Sequence, residues 1–156
     1  MPQSMLLMTW QEVSSDLIHL GLAYLLALPI GWDREQEVHT AGIRTFPLVA
    51  VANCGIILMV TSVPGHSFDN LSQVLQGILT GIGFIGGGAI LRDQASVKGT
   101  ATAASVFNIA IVGCAVGFRL YHIAVVLAAL NLFTLRALRG LKKATVSKPE
   151  TPAPLP

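Results

Sequence analysis

The stretch Gly81–Leu91, "GIGFIGGGAIL", decides the fold class because it fits two incompatible structures. Its first six residues match G-x-G-x-x-G, the pattern of the phosphate-cradling turn in dinucleotide-binding domains. That turn requires a preceding strand, a following helix and an acidic residue about 20 positions further on. Here the glycines lie inside a 21-residue apolar run over 71–91, and no acidic residue lies near position 106. The context favours a membrane helix over a nucleotide site.

The composition of the chain is typical of a membrane protein. Of its 156 residues, 53% are hydrophobic and only 12% are charged, against roughly 25% charged in an average soluble domain. The net charge of +2 is too small to indicate nucleic-acid binding. Cys54 and Cys114 lie in apolar runs with no CxxC, and the four histidines lack metal-ligand spacing. We therefore predict no metal, no cofactor and no nucleic-acid partner.

Five apolar segments organise the chain. They are predicted to be helical spans at about 17–32, 46–63, 71–91, 100–118 and 120–135. A helix needs roughly 17–25 residues to cross a bilayer, so the first and fifth segments use flanking residues to reach the interfaces. The predicted fold class is all-α, a polytopic transmembrane helical bundle of about five spans. Residues 1–16 precede this domain of residues 17–135, and a basic, then Pro-rich tail occupies 136–156.

The positions of the basic residues predict the orientation of the bundle. Nine of the ten Lys and Arg residues lie in the first and third connections and in the tail. Arg119 is alone on the other side, at a predicted tight turn between the fourth and fifth spans. Cytoplasmic segments carry the excess of Lys and Arg, so we expect the N-terminus outside and the C-terminus in the cytoplasm. A four-span arrangement, with 100–135 as one helix, would leave the tail on the other side.

The third span carries two stripes of different chemistry at helical spacing. The polar stripe contains Gln73, Gln76, Thr80, Gly83 and Gly87. The aliphatic stripe contains Val74, Ile78, Ile82 and Ile85. In lipid we expect the polar stripe to face the bundle and the aliphatic stripe to face the acyl chains, because buried partners satisfy polar groups.

The glycines of the third span are predicted to serve helix packing. Small residues four apart let helix backbones approach closely. The predicted packing positions, against the fourth span or a second copy of the chain, are Gly77, Gly81, Gly83, Gly86, Gly87 and Gly88. Three consecutive glycines cost roughly 1 kcal/mol each relative to alanine in a helix, so Gly86–Gly88 either pack tightly or distort the helix beside a lined cavity.

Amides inside the spans suggest a second interior feature. Asn53, Asn108 and Asn131 place one amide in each of three spans, and an amide in hydrocarbon needs a partner. Two interpretations stay open at this point. The amides either form hydrogen bonds between helices, or they belong to a polar track predicted to contain Gln76, Asn53, Ser105 and Asn108.

Charged residues gather in the two connections on the predicted cytoplasmic side, and we call this set the charged edge. It consists of Asp33, Arg34, Glu35, Arg44, Arg92 and Asp93. The residues either pair as a structural ion network or form a docking or gating surface. No Asp or Glu lies in the interior of a span, so a dedicated Mg²⁺ path through the bilayer is poorly supported. No catalytic combination of side chains is present, and we predict no enzyme.

Three segments taken in order resemble the membrane domain of the MgtC/SapB family: "GWDREQEVHTAGIRT" (31–45), "GILTGIGFIGGGAIL" (77–91) and "VKGTATAASVF" (97–107). The resemblance covers about 17–135. The positions that match the family's motifs are Gly31, Arg34, Glu35, Gly42, Arg44, Thr45, Gly81, Gly83, Phe84, Gly86, Gly88, Gly99, Thr102, Ala103 and Ala104. Ala101 departs from a Thr or Asn of the pattern, and Phe107 replaces a common Trp. The soluble C-terminal domain of longer members is not expected here.

The resemblance implies a multi-pass protein of the bacterial inner membrane. Better-known family members help bacteria grow when magnesium is scarce and contribute to virulence, and some are linked to restraint of the F-type ATP synthase. The implied role is that of a non-enzymatic regulator or adaptor whose partners are the lipid bilayer and another membrane protein or a second copy of the chain, as a dimer. The alternative is a small-solute or Mg²⁺-linked transporter built as an oligomer.

Overall fold

The structure, a computed structural model, describes residues 10–36, 41–65, 67–93 and 96–146. Its elements are α1 (Trp10–Glu35), α2 (Thr45–Ser62), α3 (Phe68–Gly88), β1 (Leu91–Asp93), β2 (Ser96–Lys98), α4 (Thr100–Gly117) and α5 (Tyr121–Val146). The two strands pair antiparallel, with Arg92 opposite Val97. The five helices confirm the predicted all-α fold class.

Several helix boundaries differ from the predicted segments. α1 begins at Trp10 and α5 continues to Val146, so both enter segments that we expected to flank the bundle. α3 ends at Gly88, and Leu91 begins the hairpin that the sequence pattern did not indicate. The Pro-rich end of the chain, 147–156, lies outside the described residues.

Three of the described helices, α1, α2 and α4, are long and apolar enough to cross a bilayer. The apolar part of α5, Tyr121–Ala137, is a shorter helix. α3 has 21 residues, but polar side chains in its first half lower its hydropathy. Crossing by all five helices, and the orientation with the N-terminus outside, stay predictions.

α4 is the central helix, because it contacts each of the other four. Most of its second half is buried, including Val112 and Val116, which have no exposed surface. Its small residues let α2 approach closely. A Cβ added at Gly113 would overlap the backbone carbonyl of Ala50, and one added at Gly117 would lie 2.7 Å from Cβ of Ile57. The tightest backbone contact between helices therefore involves the glycines of α4.

The orientation predicted for the two stripes of α3 is wrong. Ile78 and Ile82 are buried in the core, and Val74 packs against that core. The whole polar stripe, in contrast, is exposed: Gln73, Gln76, Thr80, Gly83 and Gly87. Between helices in lipid, van der Waals packing decides which face is buried. The branched side chains of α3 supply that packing against the small residues of α4.

Two left-handed residues define the connections at the ends of α4. Gly99 has φ of 87°, and a Cβ there would overlap the carbonyl of Ala89, so this turn requires glycine. Arg119 has φ of 62°, and the amide of Leu120 donates to the carbonyl of Ala115 at 2.8 Å. Together with the Arg119 amide bonded to Val116, this is a Schellman motif that stops α4. The tight turn predicted at Arg119 is confirmed.

Candidate functional site

The topology brings the charged edge to one end of the bundle. α4 and α5 are antiparallel neighbours, and the contacts of His19 with Tyr121 and of Asp33 with Arg136 show that α1 and α5 run parallel. α1 therefore ends at the charged edge, whereas α5 passes it at Arg136 and continues to Val146. α2 and α4 begin there, and the hairpin joins α3 to α4 at the same end. The hairpin and the termini of four helices thus lie at one end of the molecule.

Asp33 and Arg34 form the buried centre of this edge. They are 3% and 2% exposed in the last turn of α1, and Nη2 of Arg34 lies 3.5 Å from Oδ2 of Asp33. Nε of Arg136 in α5 donates to Oδ1 of the same carboxylate at 3.4 Å. One carboxylate therefore accommodates two guanidinium groups. A buried carboxylate is tolerated only when it is paired in this way, so Asp33 joins α1 to α5.

Glu35 has a different role within the charged edge. Its Oε2 accepts a hydrogen bond from the backbone amide of Ile43 at 3.0 Å. A Cβ added at Gly42 would overlap the Glu35 carboxylate, so a larger residue there would displace this side chain. The carbonyl of Gly42 accepts from the amides of Thr45 and Phe46, at 3.0 and 3.2 Å. Glu35 therefore holds the residues that precede α2.

Arg44 does not belong to the buried cluster. Arg44 is exposed at the start of α2 and makes no ion pair with any described residue. Arg92 and Asp93 lie in β1, where Asp93 is opposite Ser96 in the hairpin register. Of the four predicted residues whose side chains the structure describes, it brings together Asp33 and Arg34, and it adds Arg136. Sequence reasoning assigned Arg136 to the tail, although it is the first charge after the last apolar segment.

Two of the four residues of the predicted polar track meet, and they meet through a third side chain. Oγ of Ser105 donates to Oδ1 of Asn131 at 2.9 Å, and Nδ2 of Asn131 donates to Oδ1 of Asn108 at 3.2 Å. This chain joins α4 to α5. Asn53 instead donates to the carbonyl of Val49 in its own helix at 2.7 Å. Gln76 is exposed on α3.

At the opposite end of the bundle lies a contact that sequence reasoning missed. His19 is 5% exposed, and its Nε2 lies 2.7 Å from the hydroxyl of Tyr121, with the two rings stacked. Nδ1 of His19 lies 2.6 Å from the carbonyl of Ser15. Nδ1 must therefore donate, and in the neutral ring with this tautomer Nε2 accepts from the Tyr121 hydroxyl. The available signal was a histidine in the first apolar segment, which requires a polar partner.

The six glycines predicted for helix packing differ in their surroundings. A Cβ added at Gly86 would lie 3.5 Å from the carbonyl of Ala103, so this glycine lies against α4. A Cβ added at the other five would meet nothing within 4 Å among the residues that the structure describes: Gly77, Gly81, Gly83, Gly87 and Gly88. Their packing against a second copy stays a prediction. Gly86–Gly88 lie within the regular helix α3.

The described residues supply no obvious place for metal chemistry. Among the residues that the structure describes, no group of three or more His, Cys, Asp and Glu side chains could hold a metal ion. The buried carboxylate of Asp33 already faces two guanidinium groups. The contact of Asp33 with Arg136 attaches α1 to α5, and the hydrogen bonds through Asn131 attach α4 to α5. Fold and site together define an all-α membrane bundle that is held by polar contacts at both ends.

Comparison with known proteins shows the family to which this membrane bundle belongs. The model of the MgtC family matches residues 20–144, and the chain belongs to that family. Protein MgtC of Brucella abortus is 34% identical over 110 residues, covering 70% of this chain and 45% of that protein. Protein slr0014 of Synechocystis is 34% identical over 134 residues, covering 86% of this chain and 55% of that protein.

A third relative is the putative magnesium transporter YhiD of Escherichia coli. It is 29% identical over 133 residues, which cover 80% of this chain and 61% of that protein. The chain thus spans between 45% and 61% of the length of these three relatives. No solved structure matches the chain significantly.

Proposed function

We propose that this protein is a non-enzymatic regulator or adaptor of the bacterial inner membrane that serves magnesium homeostasis, stress adaptation or virulence. It acts through helix contacts with another membrane protein or with a second copy of itself, as a dimer. Membership of the MgtC family and the similarity to YhiD, which is named a magnesium transporter, support the link to magnesium. The resemblance stated above makes the F-type ATP synthase a candidate partner.

The observation that carries the proposal is the exposed face of α3. Gln76, Thr80 and Gly83 lie along it, and none of them contributes to the core. Thr80 donates its hydroxyl to the carbonyl of Gln76 in its own helix at 2.8 Å. The glycines of this face leave room for another backbone, because an added Cβ at Gly83 or Gly87 meets no described atom within 4 Å.

Such a face is poorly suited to acyl chains. Amide side chains exposed to hydrocarbon lack hydrogen-bond partners, whereas a neighbouring helix can supply them. One glycine of the exposed face, Gly83, matches the family's glycine motif, and contacts with the described residues do not explain it. Phe84, which is 86% exposed, matches the same motif. A helix of a partner protein is the occupant that satisfies both the polar groups and the small residues.

The test replaces one exposed glycine of α3 by leucine. This variant is compared with the same substitution at an exposed glycine of another helix. Gly83→Leu fills the space over α3. Gly21→Leu is the control, because Gly21 is an exposed helical glycine of α1 where an added Cβ also meets nothing within 4 Å. Both variants are expected to fold as the unaltered chain does. Partner proteins are then recovered from native membranes of a host that requires the gene for growth at low magnesium.

We expect Gly83→Leu to lose both the recovered partner and growth at low magnesium, while Gly21→Leu keeps both. Detergent-solubilised protein is checked by size exclusion, so that loss of a dimer is seen separately from loss of another protein. If both variants grow and recover partners as the unaltered chain does, the exposed face of α3 is not the contact surface.

One observation favours the alternative of a small-solute or Mg²⁺-linked transporter. Ser105, Asn131 and Asn108 form a buried or half-buried polar chain between α4 and α5. Flux into proteoliposomes that Asn108→Leu abolishes, with unchanged folding, would support a transport path along this chain. Flux that is indistinguishable from empty vesicles would leave the regulatory role as the better account.

A further inference from the structure

A groove lies between α2 and α3, which both pack on α4. Its volume is about 330 Å³. Six of the eight residues that line it are contributed by α2 and its N-cap position, along adjoining helical rows. The lining residues are Arg44, Thr45, Leu48, Val49, Ala52, Asn53, Ile82 and Ile85.

The chemistry of the groove changes along its length. Arg44 and Thr45 lie at the charged edge, and the wall beyond them is almost entirely apolar. Ala52, eight residues from Arg44, lies about 12 Å further along the helix axis. Asn53 is the polar exception, but its amide nitrogen donates to the carbonyl of Val49 in its own helix. The groove therefore has one cationic, hydroxyl-bearing end and a long apolar remainder.

At the cationic end of the groove, side chains and not backbone amides are available to bind an anion. The amides of Thr45 and Phe46 donate to the carbonyl of Gly42, and Pro47 has no amide proton. The Arg44 guanidinium makes no ion pair with a described residue. It lies at the start of α2, where the helix dipole adds to the positive potential. An anionic group of a ligand would be attracted to this position.

The chemistry of the groove indicates which kind of molecule fits. It is an open groove of about 330 Å³ with a cationic side chain at one end and apolar side chains along the remainder. An acyl chain is narrow enough to lie along Leu48, Ala52 and Ile82, and a lipid phosphate at its end meets Arg44. Both ends of an acidic phospholipid therefore match the groove.

We propose that the α2–α3 groove binds an acidic phospholipid, with its phosphate at Arg44 and the Thr45 hydroxyl and one acyl chain along Leu48 and Ala52. The inference goes beyond the proposed function, because it concerns a lipid site on a different face from the exposed stripe of α3. The proposed lipid site and the proposed partner contact can be disproved independently of each other. Loss of lipid selectivity leaves the partner contact untouched, and loss of the partner leaves the groove intact.

The test uses the full chain in vesicles of equal amounts of phosphatidylcholine and phosphatidylglycerol. The protein is extracted in mild detergent, and native mass spectrometry counts the lipids that remain bound. Arg44→Gln removes the charge at the groove, and Lys98→Gln is its control at the same edge but outside the groove. Ala52→Leu fills the apolar part, and Ala129→Leu is its control at an exposed position of α5.

The unaltered chain should retain phosphatidylglycerol in preference to phosphatidylcholine. Arg44→Gln should lower retained phosphatidylglycerol about fivefold, the factor that corresponds to about 1 kcal/mol of attraction per basic residue near a charged membrane surface. Ala52→Leu should lower retention of both lipids, and the two controls should behave as the unaltered chain. If Ala52→Leu fails to fold, the comparison of Arg44→Gln with Lys98→Gln tests the lipid-binding proposal by itself.

Equal retention of the two lipids by the unaltered chain would overturn the proposal. So would equal loss in Arg44→Gln and Lys98→Gln, because the effect would then be general surface charge. A dimer that carries no retained lipid and dissociates in Ala52→Leu would assign the groove to a second copy of the chain, and would also overturn it.

Discussion

Gly113 of α4 lies directly on the backbone of Ala50 in α2, so closely that a Cβ at 113 would overlap the Ala50 carbonyl. This contact holds the central helix against α2, and it leaves no space for even one methyl group. In lipid such close approach is a main source of helix association, because apolar surface gains little by leaving acyl chains.

We therefore expect Gly113→Ala to destabilise the bundle by about 1–3 kcal/mol, the usual cost of overpacking. Gly87→Ala is the matched control, because a Cβ there meets nothing within 4 Å. It should be neutral or stabilising by up to about 1 kcal/mol, since alanine favours helix over glycine. Thermal unfolding in detergent measures both. Equal melting temperatures would show that α2 and α4 can separate without cost.

Asp33 should be the most sensitive carboxylate in the described chain. Asp33→Asn removes the negative charge between the guanidinium groups of Arg34 and Arg136, and breaking a buried pair costs about 3–5 kcal/mol. Arg136→Gln should cost about 1 kcal/mol or less, because that side chain is 62% exposed. Folded yield after extraction and thermal unfolding report the difference. A milder effect of Asp33→Asn than of Arg136→Gln would contradict the cluster described here.

The hydroxyl of Tyr121 should contribute to the attachment of α1 to α5 at the end away from the charged edge. Tyr121→Phe keeps the ring but leaves Nε2 of His19 without its donor, at a cost of about 1–3 kcal/mol for an unsatisfied buried group. Tyr24→Phe is the control, because Tyr24 is 43% exposed in α1. Proteolysis near the α4–α5 turn, followed over time, should accelerate only in the Tyr121 variant. Identical rates would show that the ring contact alone suffices.

Arg119 occupies a left-handed position that suits glycine. Arg119→Gly should exceed Arg119→Ala in stability by about 1–2 kcal/mol, because alanine keeps the Cβ strain at φ of 62° and glycine does not. Both variants remove the same charge, so the comparison isolates the backbone. Reversible unfolding of the two variants in the same detergent measures the difference. A more stable alanine variant would mean that the turn relaxes out of the left-handed region.

The sequence by itself determined the fold class and several local features. Long apolar runs with few charges predict helices in lipid because every backbone polar group must bond within its own segment there. The turn at Arg119 was visible because a charge interrupts an apolar run between Gly117 and Tyr121. Family membership was visible in three motifs over 31–107, and the MgtC family model confirms it.

Only the tertiary structure decided which faces meet. The polar stripe of α3 was expected to face inward on the assumption that one chain satisfies its own polar groups, yet Gln76 is exposed and Ile78 is buried. Likewise Arg136 joined Asp33 across 103 positions of sequence, a pairing that no local spacing indicates. Helical periodicity fixes which residues share a face, whereas the shapes of neighbouring helices decide which face packs. In lipid, apolar side chains gain little by leaving the acyl chains, so packing between neighbouring helices decides which apolar face is buried.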